Sequence, residues 1–191
     1  MTTTSSPAED ARGLPPEPTA RWILVLVAGL TVVWLAVLAW QVAVLPDRVP
    51  THFNGSGQAD GWSSKAGALA FSALGPLVVV FPMPLMAKLA VRWPQSINAP
   101  NRDWWMKSGP RLRRFERLLR EDLWLIAAAT LLVLVLIQVG ITETALSGTG
   151  ALPMAYIWVP IALLLVGMGV IVARMLGKRY AEQPDLGPDL G

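Results

Sequence analysis

The stretch LPDRVPTHFNGSGQADGWSSK, Leu45 to Lys65, gathers the side chains of this chain best suited to polar chemistry. It holds the single histidine, His52, followed by Asn54 and Asp60. An imidazole, an amide and a carboxylate folded toward one another make a face that can receive a peptide or another protein group, so His52, Asn54 and Asp60 are the candidate ligand-binding residues. His with Asp is also a metal-ligand pair, but zinc sites take three or four protein ligands; no metal and no cofactor is assigned. A loop that only satisfies its own polar groups is the third reading. Catalysis is not assigned, because one histidine with no implied nucleophile or metal cluster beside it does not define an active site.

The elements that position these groups follow from the turn chemistry. Asn54-Gly55 and Asp60-Gly61 are tight-turn signals, and Gly57 adds backbone freedom between them. The expectation is a compact, turned lid with Phe53 and Trp62 as apolar anchors. It brings the three polar groups together near Gln41 and Gln138, at the ends of the flanking helices. Ser63 or Ser64 is placed to cap the next helix.

That lid sits in an apolar chain. Hydrophobic residues make up 53% and charged residues 15% of the 191, outside the usual soluble range. The apolar residues come in four runs: Trp22 to Leu45, Gly67 to Ala87, Leu123 to Ile141 and Met154 to Ala173. Each approaches the roughly 20 residues that carry a helix across a hydrocarbon core. Backbone in lipid must satisfy its own hydrogen bonds, so such runs read as helices. The predicted fold is all-α: an integral membrane protein of four transmembrane helices, with a turn-rich outer loop and a basic amphipathic cytoplasmic helix. The transmembrane domain covers 22–176, between tails 1–21 and 177–191 that are rich in Pro and polar residues and read as unfolded. With no cysteine, disulfides and thiol chemistry are excluded.

Orientation follows from the basic residues, which resist translocation. The second connection holds Lys88, Arg92, Arg102, Lys107, Arg111, Arg113, Arg114, Arg117 and Arg120, and Arg174, Lys178 and Arg179 follow the fourth run. The connection 142–153 has none. Both termini are therefore expected in the cytoplasm and the His52 loop outside. Within the connection, Leu112, Phe115, Leu119 and Leu123 form one apolar stripe with arginines around it, the pattern of a helix lying on anionic headgroups. A cytosolic or membrane protein partner is the lesser alternative, and the arginines lack the stacking aromatics of a nucleic-acid site. The segment NAPNRDWW, Asn98 to Trp105, reads as a loop returning to the membrane on two tryptophans. The run centres carry no ionisable group, which argues against a proton-coupled carrier, whereas Pro76, Pro82 and Pro84 break the second run as transporter helices are broken.

Leu45-Pro46, Pro50-Thr51-His52-Phe53-Asn54, Gly57, Asp60-Gly61-Trp62 and Lys65 together resemble the signature of domain of unknown function 1648. This bacterial membrane domain is also found at the start of the SdpI-type toxin-immunity proteins. NAPNRDWW resembles a second element of that family. The resemblance covers the first two spans and the following loop. It implies a multi-pass protein of the bacterial plasma membrane that senses, or confers immunity to, an extracellular peptide. A small transporter or accessory membrane subunit is the alternative.

Overall fold

Long apolar runs free of charge leave a helix as the arrangement that pairs every backbone group within one segment, and helices account for most of the chain. The computed structural model describes residues 6–187. In chain order the elements are α1 (Pro7–Gly13), α2 (Arg21–Val44), β1 (Arg48–Phe53), β2 (Ala59–Ser64), α3 (Lys65–Val79), α4 (Lys88–Arg92), α5 (Arg102–Trp105), α6 (Gly109–Ser147) and α7 (Ala155–Leu176). Four helical stretches are long and apolar enough to cross a membrane: Arg21–Val44, Lys65–Arg92, Gly109–Ser147 and Ala155–Leu176. Val25, Phe71, Val78, Leu165 and Val170 expose most of their surface outward. An apolar exterior of that kind suits lipid. The stretch Lys65–Arg92 is interrupted: α3 ends at Val79, and a 3-10 turn over Met83–Ala87 precedes α4. Prolines at 76, 82 and 84 remove the backbone donors that a continuous helix needs.

The chain divides into two compact units. The first combines Met1–Leu24, Met83–Leu125 and Gly169–Gly191. Its core packs Trp104, Trp105, Leu112, Phe115, Leu118 and Tyr180 with Ala11, Ala90, Val91 and Ile97. Trp104 and Trp105 meet edge to face at 4.7 Å, and Trp105 donates its indole N–H to the Tyr180 carbonyl at 3.2 Å. Asn101, in the left-handed region at φ 56°, donates to the same carbonyl. These two tryptophans are therefore core residues and not membrane anchors; burying an indole requires an acceptor for its N–H, and the chain after α7 supplies it.

Polar pairing surrounds that core. Glu17 holds Arg114 and Arg117, each at 2.7 Å, and Glu116 holds Arg113 at 3.1 Å and Arg120 at 2.6 Å. Asp122, fully buried, holds Arg174 at 3.2 Å and Arg179 at 3.1 Å and accepts from the Tyr180 hydroxyl at 2.8 Å. Burial first, then the Asp122 charge, raise the Tyr180 phenol well above its ordinary value. Arg113, Arg114, Arg117 and Arg120 of α6 are thus half-buried and committed to carboxylates, while Arg111 is buried over the Trp104 ring and donates to the Leu186 carbonyl at 2.8 Å. Their partners include Glu17, from a segment that composition alone presents as unfolded.

The described parts of the two tails carry local structure of their own. Ser6 and Glu9 form a reciprocal capping box for α1, at 3.3 and 2.8 Å, and Ala11 is fully enclosed. A Cβ on Gly109 would lie 2.7 Å from the Asp10 Cβ, so glycine permits this approach. Short 3-10 turns at Lys178–Tyr180 and Pro184–Leu186 order the other tail. Residues 1–5 and 188–191 of those tails lie outside the described residues.

The second unit combines Val25–Pro82 and Ile126–Met168. Here the structure adds a two-stranded antiparallel sheet, β1 against β2, to the predicted helices. Leu45, Val49 and Ala68 pack beneath it with Leu69, Ile141 and Ala145.

Candidate functional site

The hairpin is tied down at its base, where Lys65 N–H donates to the Asp47 carbonyl at 3.0 Å and Ser64 Oγ caps α3 by accepting from Gly67 N–H at 3.1 Å. Its turn is closed by Asn54, whose side-chain oxygen accepts from Ser56 N–H at 3.0 Å, Ser56 Oγ–H at 2.7 Å and Gln58 N–H at 3.1 Å. That is an Asx turn, and it commits the amide oxygen to the backbone. Gly57 follows at φ 80°, where a Cβ would come within 2.9 Å of the Leu152 carbonyl. Segment 150–152 clamps the turn: Ala59 donates to Gly150 at 2.8 Å and Leu152 donates to Gly57 at 2.9 Å.

Between base and turn the ladder is irregular. Pro50 pairs with Trp62, His52 with Gly61 and Phe53 with Ala59, leaving Thr51 and Asp60 without a partner on the opposite strand. Such bulges re-aim side chains. Here they bring Asp60 Oδ1 within 2.5 Å of His52 Nδ1. A carboxylate can only accept, so Nδ1–H is the donor of this bond and Nε2 lies outside it. The side chains are 74% and 46% exposed, so the pair contributes under about 1 kcal/mol to folding. Gly61 permits the approach, since a Cβ there would sit 2.7 Å from the His52 Cβ. Asp60-Gly61 is thus part of a bulged strand and not a second turn. Arg48 stacks over Trp62 at 5.3 Å, pairing the anticipated apolar anchor with a cation.

His52 and Asp60 are brought together; Asn54 serves the turn. Gln41 and Gln138 make no hydrogen bond to the pair; both are buried and line an adjoining cavity that shares Thr51, Ile137 and Ile141 with the groove beside His52. Beside the pair runs a groove of about 360 Å³, lined by Thr51, His52, Phe53 and Asn54 on one side and by Ile137, Ile141, Tyr156 and Pro160 on the other. At its edge Tyr156 donates its hydroxyl proton to Glu143 at 2.7 Å. Among the described residues no cluster of three or more His, Cys, Asp or Glu side chains is placed to hold a metal. The arrangement offers one imidazole on the wall of an apolar trough, backed by the Asp60 carboxylate that it bonds.

Residues 26–75 match the family model Domain of unknown function (DUF1648). The match runs from α2 through the hairpin into α3, so it includes His52, Asp60, Gly61 and Trp62. The segment NAPNRDWW lies beyond it. No curated protein and no solved structure matches the chain. The bulges left no mark in a reading based on turn pairs: periodicity and Asx-Gly counting place turns but do not register an unpaired residue within a strand. The small residue at 61, directly after the carboxylate, is the one available signal.

Proposed function

We propose that this chain is a multi-pass protein of the bacterial plasma membrane, with both termini cytoplasmic, that senses or confers immunity to an extracellular peptide through its hairpin. The carrying observation is the exposed His52–Asp60 pair, whose imidazole lines the groove. A peptide supplies both an apolar side chain for the trough and a backbone or charged group for the imidazole and carboxylate. The concentration of Lys and Arg after the second and fourth spans supports this orientation. The resemblance to SdpI-type immunity proteins supports the peptide.

Orientation is tested by single cysteines in this cysteine-free chain. Ser56→Cys, at the exposed turn, is expected to react with an impermeant thiol reagent in intact cells, and Lys107→Cys only after lysis. The opposite pattern would invert the topology. For function, a deletion strain carrying the wild-type gene, His52→Ala, Asp60→Asn or Gly61→Ala is challenged with envelope-active peptides. The variants are expected to lose about tenfold in protection or signalling, the equivalent of roughly 1.4 kcal/mol of recognition. His52→Ala and Asp60→Asn should keep normal membrane abundance, because the pair adds little to stability. Unchanged sensitivity and transcription in both would sink the reading.

A second reading, a small transporter, is favoured by the interruption between Val79 and Lys88. It requires a solute whose flux depends on the protein, and flux equal to that of a deletion strain would remove it.

A further inference from the structure

The second unit contains a polar cluster that does not include His52 or Asp60. Gln41 on α2 and Gln138 on α6 are 1% and 4% exposed. Their donors are committed: Gln41 Nε2 donates to Thr142 Oγ1 at 3.0 Å and to the Gln138 backbone carbonyl at 3.3 Å, and Gln138 Nε2 donates to the Ser72 carbonyl at 3.1 Å. Trp34 Nε1 donates to that same carbonyl at 3.0 Å. These bonds fix both amides. Their acceptors are not committed, since neither Oε1 accepts a hydrogen bond from the protein. A buried acceptor left unpaired is costly, and two in one cluster demand a partner.

Both residues line a cavity of about 260 Å³ whose other walls include Phe71, Pro76, Leu134 and Ile137. A dry cavity of about 150 Å³ already takes up benzene, so this one has room for an apolar body of about six to eight carbons with a polar head. The walls carry no ionisable side chain. An anion would face two carbonyl oxygens, and a buried cation would lack a counter-charge. An uncharged head with an N–H or O–H matches the unpaired acceptors without either penalty.

We propose that this cavity binds a small uncharged amphiphile on an apolar body: an alcohol, whose one O–H is received by Gln41 Oε1 or Gln138 Oε1, or a primary amide, whose two N–H groups reach both. Thr51 and Ser63 of the hairpin strands also line the cavity, but His52 and Asp60 do not, so His52→Ala removes no wall of it whether or not the peptide reading holds.

The test uses the full chain in lipid nanodiscs and two matched photoprobes. One is an aliphatic diazirine of about eight carbons ending in a hydroxyl, sized to the cavity; the other is its methyl ether. Cross-links are mapped by mass spectrometry. The alcohol should label segments 63–76 and 134–141 about tenfold more than the ether, the discrimination that one hydrogen bond to a buried acceptor supplies. Excess 1-octanol should compete and octane should not. At least one of Gln41→Leu and Gln138→Leu, the one that removes the acceptor used by the hydroxyl, should reduce alcohol labelling toward the ether level, and His52→Ala should leave it unchanged. Equal labelling by the two probes, no labelling of these segments, or full alcohol labelling in both glutamine variants would each overturn the site. If the variants fail to accumulate, the alcohol-to-ether contrast in the wild-type protein decides alone.

Discussion

Asp122→Ala is expected to destabilise the protein by about 3–5 kcal/mol, the cost of removing one partner from a buried ion pair. The carboxylate is fully buried and receives Arg174, Arg179 and the Tyr180 hydroxyl, so alanine leaves two guanidinium groups and a phenol facing a void. Glu121 still pairs with Arg179 at 2.7 Å and retains part of the network, which keeps the loss at this level and not above it. Thermal unfolding of the purified protein should shift downward by on the order of 10 °C. Asp122→Asn keeps the shape, surrenders the charge and should fall between. A midpoint within about 2 °C of wild type for the alanine variant would mean that water already solvates these groups.

Trp105→Ala is expected to cost about 3–5 kcal/mol as well, by a different route. Its ring is fully buried against Trp104, Phe115 and Tyr180, and truncation opens a cavity at the centre of the first unit. Trp105→Phe refills most of that volume and loses only the hydrogen bond to the Tyr180 carbonyl, a cost of about 1–2 kcal/mol. Trp93→Ala is the control, since that side chain is about half exposed and stacks with Arg92. If Trp93→Ala and Trp105→Ala unfold at the same midpoint, Trp105 is an interfacial anchor and not a core residue.

The contrast between these tryptophans shows where sequence stops being informative. Four helices are legible because a long apolar run has few alternatives in lipid, and the interruption near Val79 is legible because proline withdraws a donor wherever it stands. Trp104 and Trp105 are not legible in the same way. An indole is equally at home at a membrane interface and in a core, and what separates the two is an acceptor on Tyr180, far along the chain. The arginines of α6 mislead for the same reason: their surface looks free until Glu17 arrives from the N-terminal segment. In the hairpin, Asn54-Gly55 marks a true turn through a local side-chain bond. Asp60-Gly61 has the same letters but is captured into a strand, where the glycine serves the neighbouring His52 and not the chain direction.

The irregular ladder also limits how a guest chain can attach. A strand with a regular row of free N–H and C=O groups acts as a template on which another chain adds, main chain to main chain, with little regard for sequence. In this ribbon Pro50 lacks a donor, Thr51 and Asp60 interrupt the register, and the bridge between Gln58 and Ala151 occupies the end nearest the turn. Strand addition, whether by a ligand or by a second copy, therefore finds no uninterrupted run to extend. A chain that engages this ribbon must be read through its side chains, which makes the ribbon selective by default.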